Sequence, residues 1–150
     1  MVTALSAWLA SVTIAAPIVS IFSAIAFYVA TDGNTDAAVA GFAAGLAGAL
    51  IYGATFVWLG AVTKRATIAA LAYLFLWEFM LMNGLWFGGF SFSQFSITHV
   101  VRSVAARFVD DTDLATTLGF SWTSIAIMAV LFIAGFLFLT GRRLDRIEVA

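Results

Sequence analysis

The chain has no cysteine, one histidine and one proline among its 150 residues. The lack of cysteine excludes a disulfide, a thiolate metal site and a thiol nucleophile. With His99 alone, a single chain offers neither bis-histidine haem ligation nor a His-rich metal cage. Charge is scarce as well: seven Lys and Arg stand against eight Asp and Glu, a net charge of −1. Cations confined to loop ends argue against nucleic-acid binding. No pair of carboxylates lies within an apolar run for acid–base work. A phosphate loop of the form G-x-x-x-x-G-K-[ST] is missing too. The sequence therefore predicts no catalytic residue, no metal site, no cofactor of its own and no enzymatic activity.

What is present is apolar. Hydrophobic residues make up 63% of the chain and the mean hydropathy is +1.07. A water-soluble domain of this size has too few polar side chains to cover such a surface. Four stretches, about 3–30, 37–63, 66–90 and 119–140, each meet the ~20 residues needed to cross a ~30 Å hydrocarbon layer. The first lacks a basic leading segment, and its apolar run outlasts the ~7–15 residues of a signal peptide's core. The expected fold is all-α: one transmembrane domain over 1–150, a polytopic bundle of four transmembrane helices. A short external amphipathic helix, about 96–109, is expected between the third and fourth spans.

Charges fall between the spans. Asp32 and Asp36 flank the first gap, and Lys64 and Arg65 mark the second. Arg102, Arg107, Asp110, Asp111 and Asp113 occupy the third, and Arg142, Arg143 and Arg146 follow the last span. Cytoplasmic loops are enriched in Lys and Arg. Placing Lys64, Arg65 and the C-terminal cluster inside predicts a multi-pass protein of the plasma or inner membrane with both termini cytoplasmic. Asp32 and the segment 91–118 then lie outside.

Within the spans a few residues stand out. Pro17 predicts a kink in the first, read as a packing kink in preference to a gating hinge. Thr13, one turn upstream, is placed to bond a freed carbonyl. In the second span Ala37, Gly41, Gly45, Ala49 and Gly53 recur every four residues. They form a ridge of small side chains on which another helix backbone can approach closely; its partner is either in this chain or in another. Glu78 sits near the middle of the third span, where a charge costs ~2.5–3.5 kcal/mol on insertion scales. It is expected to face protein or water, or to be protonated, either as part of a pathway or as a neutral buried Glu hydrogen-bonded to a Ser, Thr or Tyr of a neighbouring helix. Asn83 can share its polar side. Trp86, Phe87 and Phe90 read as an aromatic belt, while Gly84, Gly88 and Gly89 weaken the end of that helix.

In the external segment Ser96 can cap a helix with Ile97, Val100, Val101, Val104 and Phe108 on one face. Such a helix is expected to lie in the interface with its apolar side in the acyl boundary. His99 on the opposite face reads as a solvated residue. The Asp cluster lacks the calcium-loop pattern and reads as a solvated turn.

Several segments in order resemble the C-terminal half of type-2 ABC exporter permeases. They are Gly53-Ala54-Thr55-Phe56-Val57-Trp58-Leu59-Gly60, the basic turn Lys64-Arg65-Ala66, and Ala72-Tyr73-Leu74-Phe75-Leu76-Trp77-Glu78. Phe92-Ser93-Gln94-Phe95-Ser96-Ile97 leads on to Arg102, and a last span with a basic tail completes the likeness. The resemblance implies a six-span fold with short outer helices between the fifth and sixth spans and cytoplasmic termini. The four spans here correspond to its third to sixth. It further implies a membrane-spanning permease subunit, or the C-terminal part of one, lining a path while a separate ATPase subunit binds and hydrolyses ATP. A second permease chain or an N-terminal half is the implied membrane partner, with lipids around both. The alternatives are a stand-alone four-helix scaffold or regulatory subunit of a membrane complex and, least supported, an enzyme acting on a lipid or quinone.

Overall fold

A computed structural model describes residues 2–79, 86–87, 90–91, 96–108 and 121–148. Asn83, Gly84, Gly88, Gly89, Asp110, Asp111, Asp113 and the first residues of the expected fourth span lie outside the described residues. Three helices are long and apolar enough to cross a membrane: α1 (Val2–Ala30), α2 (Thr35–Val62) and most of α5 (Trp122–Glu148), over Trp122–Asp145. The chain is thus a helical protein of a kind compatible with a membrane.

A tight turn joins α1 to α2. Asp32 (φ 52°) and Gly33 (φ 90°) both take the left-handed region, which Gly adopts freely and Asp tolerates better than most residues. Gly33 N–H donates to Tyr28 O at 2.9 Å, closing α1. Asn34 then caps α2, its Oδ1 accepting from the Asp36 and Ala37 N–H groups. The two helices run antiparallel. Near one end Val12 meets Gly53 and Trp8 Nε1 donates to Leu50 O at 3.0 Å; near the other, Ser23 and Phe27 meet Gly41.

The expected third span, 66–90, is not one continuous helix. It begins as α3 (Ala66–Ala72) and widens into a seven-residue π-helix, Tyr73–Phe79. Beyond it Trp86–Phe87 pairs antiparallel with Phe90–Ser91, so the chain reverses where a helix was expected. Glycines at 84, 88 and 89 give that stretch poor helix propensity.

A second correction concerns the amphipathic helix. It forms as α4 (Ile97–Ala106) with Ser96 as its N-cap, but its apolar face does not lie bare along a lipid boundary. Ile97, Val100 and Val104 are buried in a cluster with Ile51 of α2 and Ile125 of α5. The first turn of α4 is level with the middle of α2: Tyr52 Oη and Thr98 Oγ1 are 2.9 Å apart. Val101 faces Gly48, where an added Cβ would stand 3.7 Å from Val101 Cγ2, an ordinary contact. From there α4 runs toward the acidic end of the bundle, where Phe108 meets Trp122 edge-on at 5.6 Å. The third long helix, α5, returns alongside α2, with Trp58 against Phe136 at 5.5 Å. Arg142 and Arg143 belong to this helix instead of trailing it, and they line a small cavity with Trp58 and Val62 at the basic end.

Pro17 sits exposed inside an uninterrupted, 29-residue α1. Proline leaves the carbonyl of Thr13 without its usual N–H. The Thr13 hydroxyl does not serve that carbonyl; it donates to Leu9 O at 2.7 Å.

Candidate functional site

Two short helical pieces meet at Glu78. The seven-residue α3 and the seven-residue π segment rise together only ~20 Å, and the ten-residue α4 ~15 Å. Neither alone matches the ~30 Å of a hydrocarbon layer. Glu78 is 5% exposed, and among the described residues each of its oxygens accepts from two donors. Oε1 accepts from Tyr73 Oη–H at 3.1 Å and from Ile97 N–H at 3.1 Å. Oε2 accepts from Thr98 N–H at 3.1 Å and from Ser96 Oγ–H in a short hydrogen bond.

The local backbone explains this set. Tyr73 and Glu78 are five residues apart, a separation that puts side chains on different faces of an α-helix but on one face where the repeat is i to i+5. The π segment therefore aims the phenol at the carboxylate. From the other side, Ser96 takes extended backbone angles as an N-cap, and its Oγ also accepts from His99 N–H at 3.4 Å.

The arrangement is reciprocal. A helix that starts amid apolar side chains leaves its first N–H groups without partners, and in lipid each costs several kcal/mol. Here the Ile97 and Thr98 N–H groups are satisfied by Glu78 and that of His99 by Ser96. In return the positive end of the α4 dipole faces the carboxylate, the favourable sense for an acid. Every hydrogen-bond partner of Glu78 among the described residues donates, and its two backbone partners can do nothing else.

Thr98 extends the network, since its hydroxyl meets Tyr52 of α2. Tyr52, Tyr73, Ser96 and Thr98 thus join Glu78 across α2, the π segment and α4. Periodicity pointed to Glu78 and to Ser96 as a cap; it did not bring them together, because the pairing depends on the chain reversal between them. Tyr52 gave no signal beyond being a hydroxyl in an apolar span.

The ridge of small residues lies elsewhere, against α1 of the same chain. A Cβ added at Gly41 would stand 2.7 Å from Ser23 O, and one at Gly45 would stand 2.9 Å from Ser20 Cα. At Gly53 the nearest atom is Val12 Cγ2 at 3.0 Å, whereas Gly60 has nothing within 4 Å. Ala37 and Ala49 are buried. The ridge packs on α1, whereas the Glu78 network reaches α2 through Tyr52. Comparison with protein-family models, curated proteins and solved structures finds no match to this chain.

Proposed function

We propose that this chain is a membrane-spanning permease subunit of an ATP-driven exporter of the type-2 ABC kind, or the C-terminal part of one. The observation that carries the reading is the pair of half-length helices joined at Glu78. Breaks of this kind, with a helix N-terminus and a polar group at mid-depth, recur where transporters build their working sites. The chain then makes four crossings: α1, α2, the α3–α4 pair as a divided third, and α5. Lys64, Arg65, Arg142, Arg143 and both termini face the cytoplasm, and Asp32, Asp36 and Phe108 face outward, in the sense favoured by cationic loops. A second permease chain or an N-terminal half completes the path, and a separate ATPase docks at the cytoplasmic end.

The Glu78 junction is the internal joint of this crossing. Its bonds fix α4 against α2 and α3, so a tilt of α3 driven from the cytoplasmic turn moves α4 with it. Alternating access needs rigid coupling of this sort between an inner and an outer half.

The test is co-purification of the tagged chain with the phosphate-loop ATPase encoded nearest to it, followed by ATP hydrolysis in nanodiscs. The reading expects a stable complex whose hydrolysis rises in the presence of the parent chain and falls several-fold with Glu78→Leu. An ATPase that neither associates nor responds would favour the scaffold reading instead.

A further inference from the structure

A narrow cavity of about 600 Å³ runs along α1, bounded on its far side by α2 and α4. Its size falls within the ~300–1,000 Å³ of small-molecule sites. Ser11, Ala15, Val19, Ser23 and Phe27 line it from α1, every fourth residue, a run of ~24 Å along the helix. A slot of this length and volume can take an extended acyl chain. The walls are apolar apart from a few hydroxyls and one cation, Arg102 of α4, which is exposed.

Arg102 occupies a costly position. It belongs to the turn that packs against Gly48 and Ala44, ten or so residues into α2 from its acidic end. The 28-residue α2 is ~42 Å long against a ~30 Å hydrocarbon layer, so this turn lies about 10 Å inside it. A guanidinium at such depth needs an anion or a path to the headgroups. Glu78, the nearest acid in sequence among the described residues, is occupied by Tyr73, Ser96 and the start of α4.

We propose that the slot holds one acyl chain of an anionic membrane phospholipid whose phosphate pairs with Arg102. The headgroup enters from the acidic end of the bundle near Phe27, and the tail follows α1 toward Ser11. Arginine presents a planar fork of donors that matches phosphate geometry. The lipid thereby neutralises the cation and fills the gap between α1 and α4. This site is separate from Glu78, and it stands whether or not the chain works with an ATPase.

The experiment uses the full chain in mild detergent, with phosphatidylglycerol or phosphatidylcholine of matched acyl chains, and counts bound lipid by native mass spectrometry. One phosphatidylglycerol per chain is expected to be retained in preference to phosphatidylcholine. Arg102→Gln should weaken its retention about fivefold, the loss of one lipid-facing cation, and Arg102→Lys should restore most of it. Ala15→Phe, which fills the slot from an exposed α1 position, should reduce retention of both lipids. Equal retention of the two lipids by the parent, or undiminished phosphatidylglycerol on Arg102→Gln, overturns the proposal. So does a parent that is dimeric and becomes monomeric on slot filling with its lipid count unchanged, since the occupant is then a second copy of the chain.

Discussion

Tyr73 and Glu78, five residues apart in one π-helical turn, face each other across a 3.1 Å hydrogen bond. The phenol can reach only because the helix is wider there than an α-helix. Tyr73→Phe should therefore cost about 1 kcal/mol of stability in detergent, the worth of one hydrogen bond. Moving the hydroxyl one residue, with Leu74→Tyr added, should not restore it. Recovery of the parent melting temperature by the shifted hydroxyl would show that the π register is irrelevant.

Glu78 itself should be far less replaceable. Leu at this position leaves the Ile97 and Thr98 N–H groups buried without acceptors, at ~1–3 kcal/mol each. Gln keeps one accepting oxygen and turns its amide N–H₂ toward a donor, so it should lose about half as much. The order parent, Gln, Leu in thermal unfolding is the expected result; a Leu variant as stable as the parent contradicts the cap.

On the ridge of α2 that meets α1, Gly41→Leu and Gly45→Leu should each destabilise by about 1–3 kcal/mol, the usual cost of overpacking. Ser23 O and Ser20 Cα are backbone atoms and cannot swing aside. Gly60→Ala, in open space, should instead gain up to ~1 kcal/mol from helix propensity. Equal responses at all three positions would mean that α1 does not seat on this ridge.

Ser20 offers a complementary test. Among the described residues its Oγ is the one buried side-chain polar atom without a hydrogen-bond partner. Ser20→Ala removes that atom at nearly constant shape and should be neutral or stabilising by up to ~1 kcal/mol. A loss beyond this in chemical unfolding would reveal a partner for the hydroxyl.

Orientation is open to single-cysteine labelling, because the native chain has no cysteine. Asn34→Cys should react with an impermeant maleimide from outside the cell and Lys64→Cys only after permeabilisation. The reverse pattern would invert the proposed topology.

Much of the fold could be read from residue spacing. The four-residue recurrence from Ala37 to Gly53 marks a close helix approach because only small side chains permit one, and Ser96 marks a helix start because its hydroxyl can accept a free N–H. The break of the expected third span into α3, a π segment and a chain reversal was illegible for a physical reason. Hydropathy averages over a window and cannot tell a straight span from two half-helices with a reversal between them, since both are equally apolar. The amphipathic face of α4 was legible, but not its cover: Ile97, Val100 and Val104 suit a lipid boundary as well as they suit Ile51 and Ile125. The Tyr73–Glu78 pairing follows a five-residue period that α-helical reading discards.

The reciprocal cap also sets an order of assembly. Until Glu78 arrives, the first turn of α4 carries bare N–H groups that water can satisfy and hydrocarbon cannot. In the proposed four-crossing topology, the segment around Ser96 waits at the membrane surface during biogenesis and sinks only after α3 has delivered its carboxylate. A chain with Leu at position 78 should stall at that step, with a cysteine at position 98 still open to water-soluble reagents while α1, α2 and α5 are fully inserted.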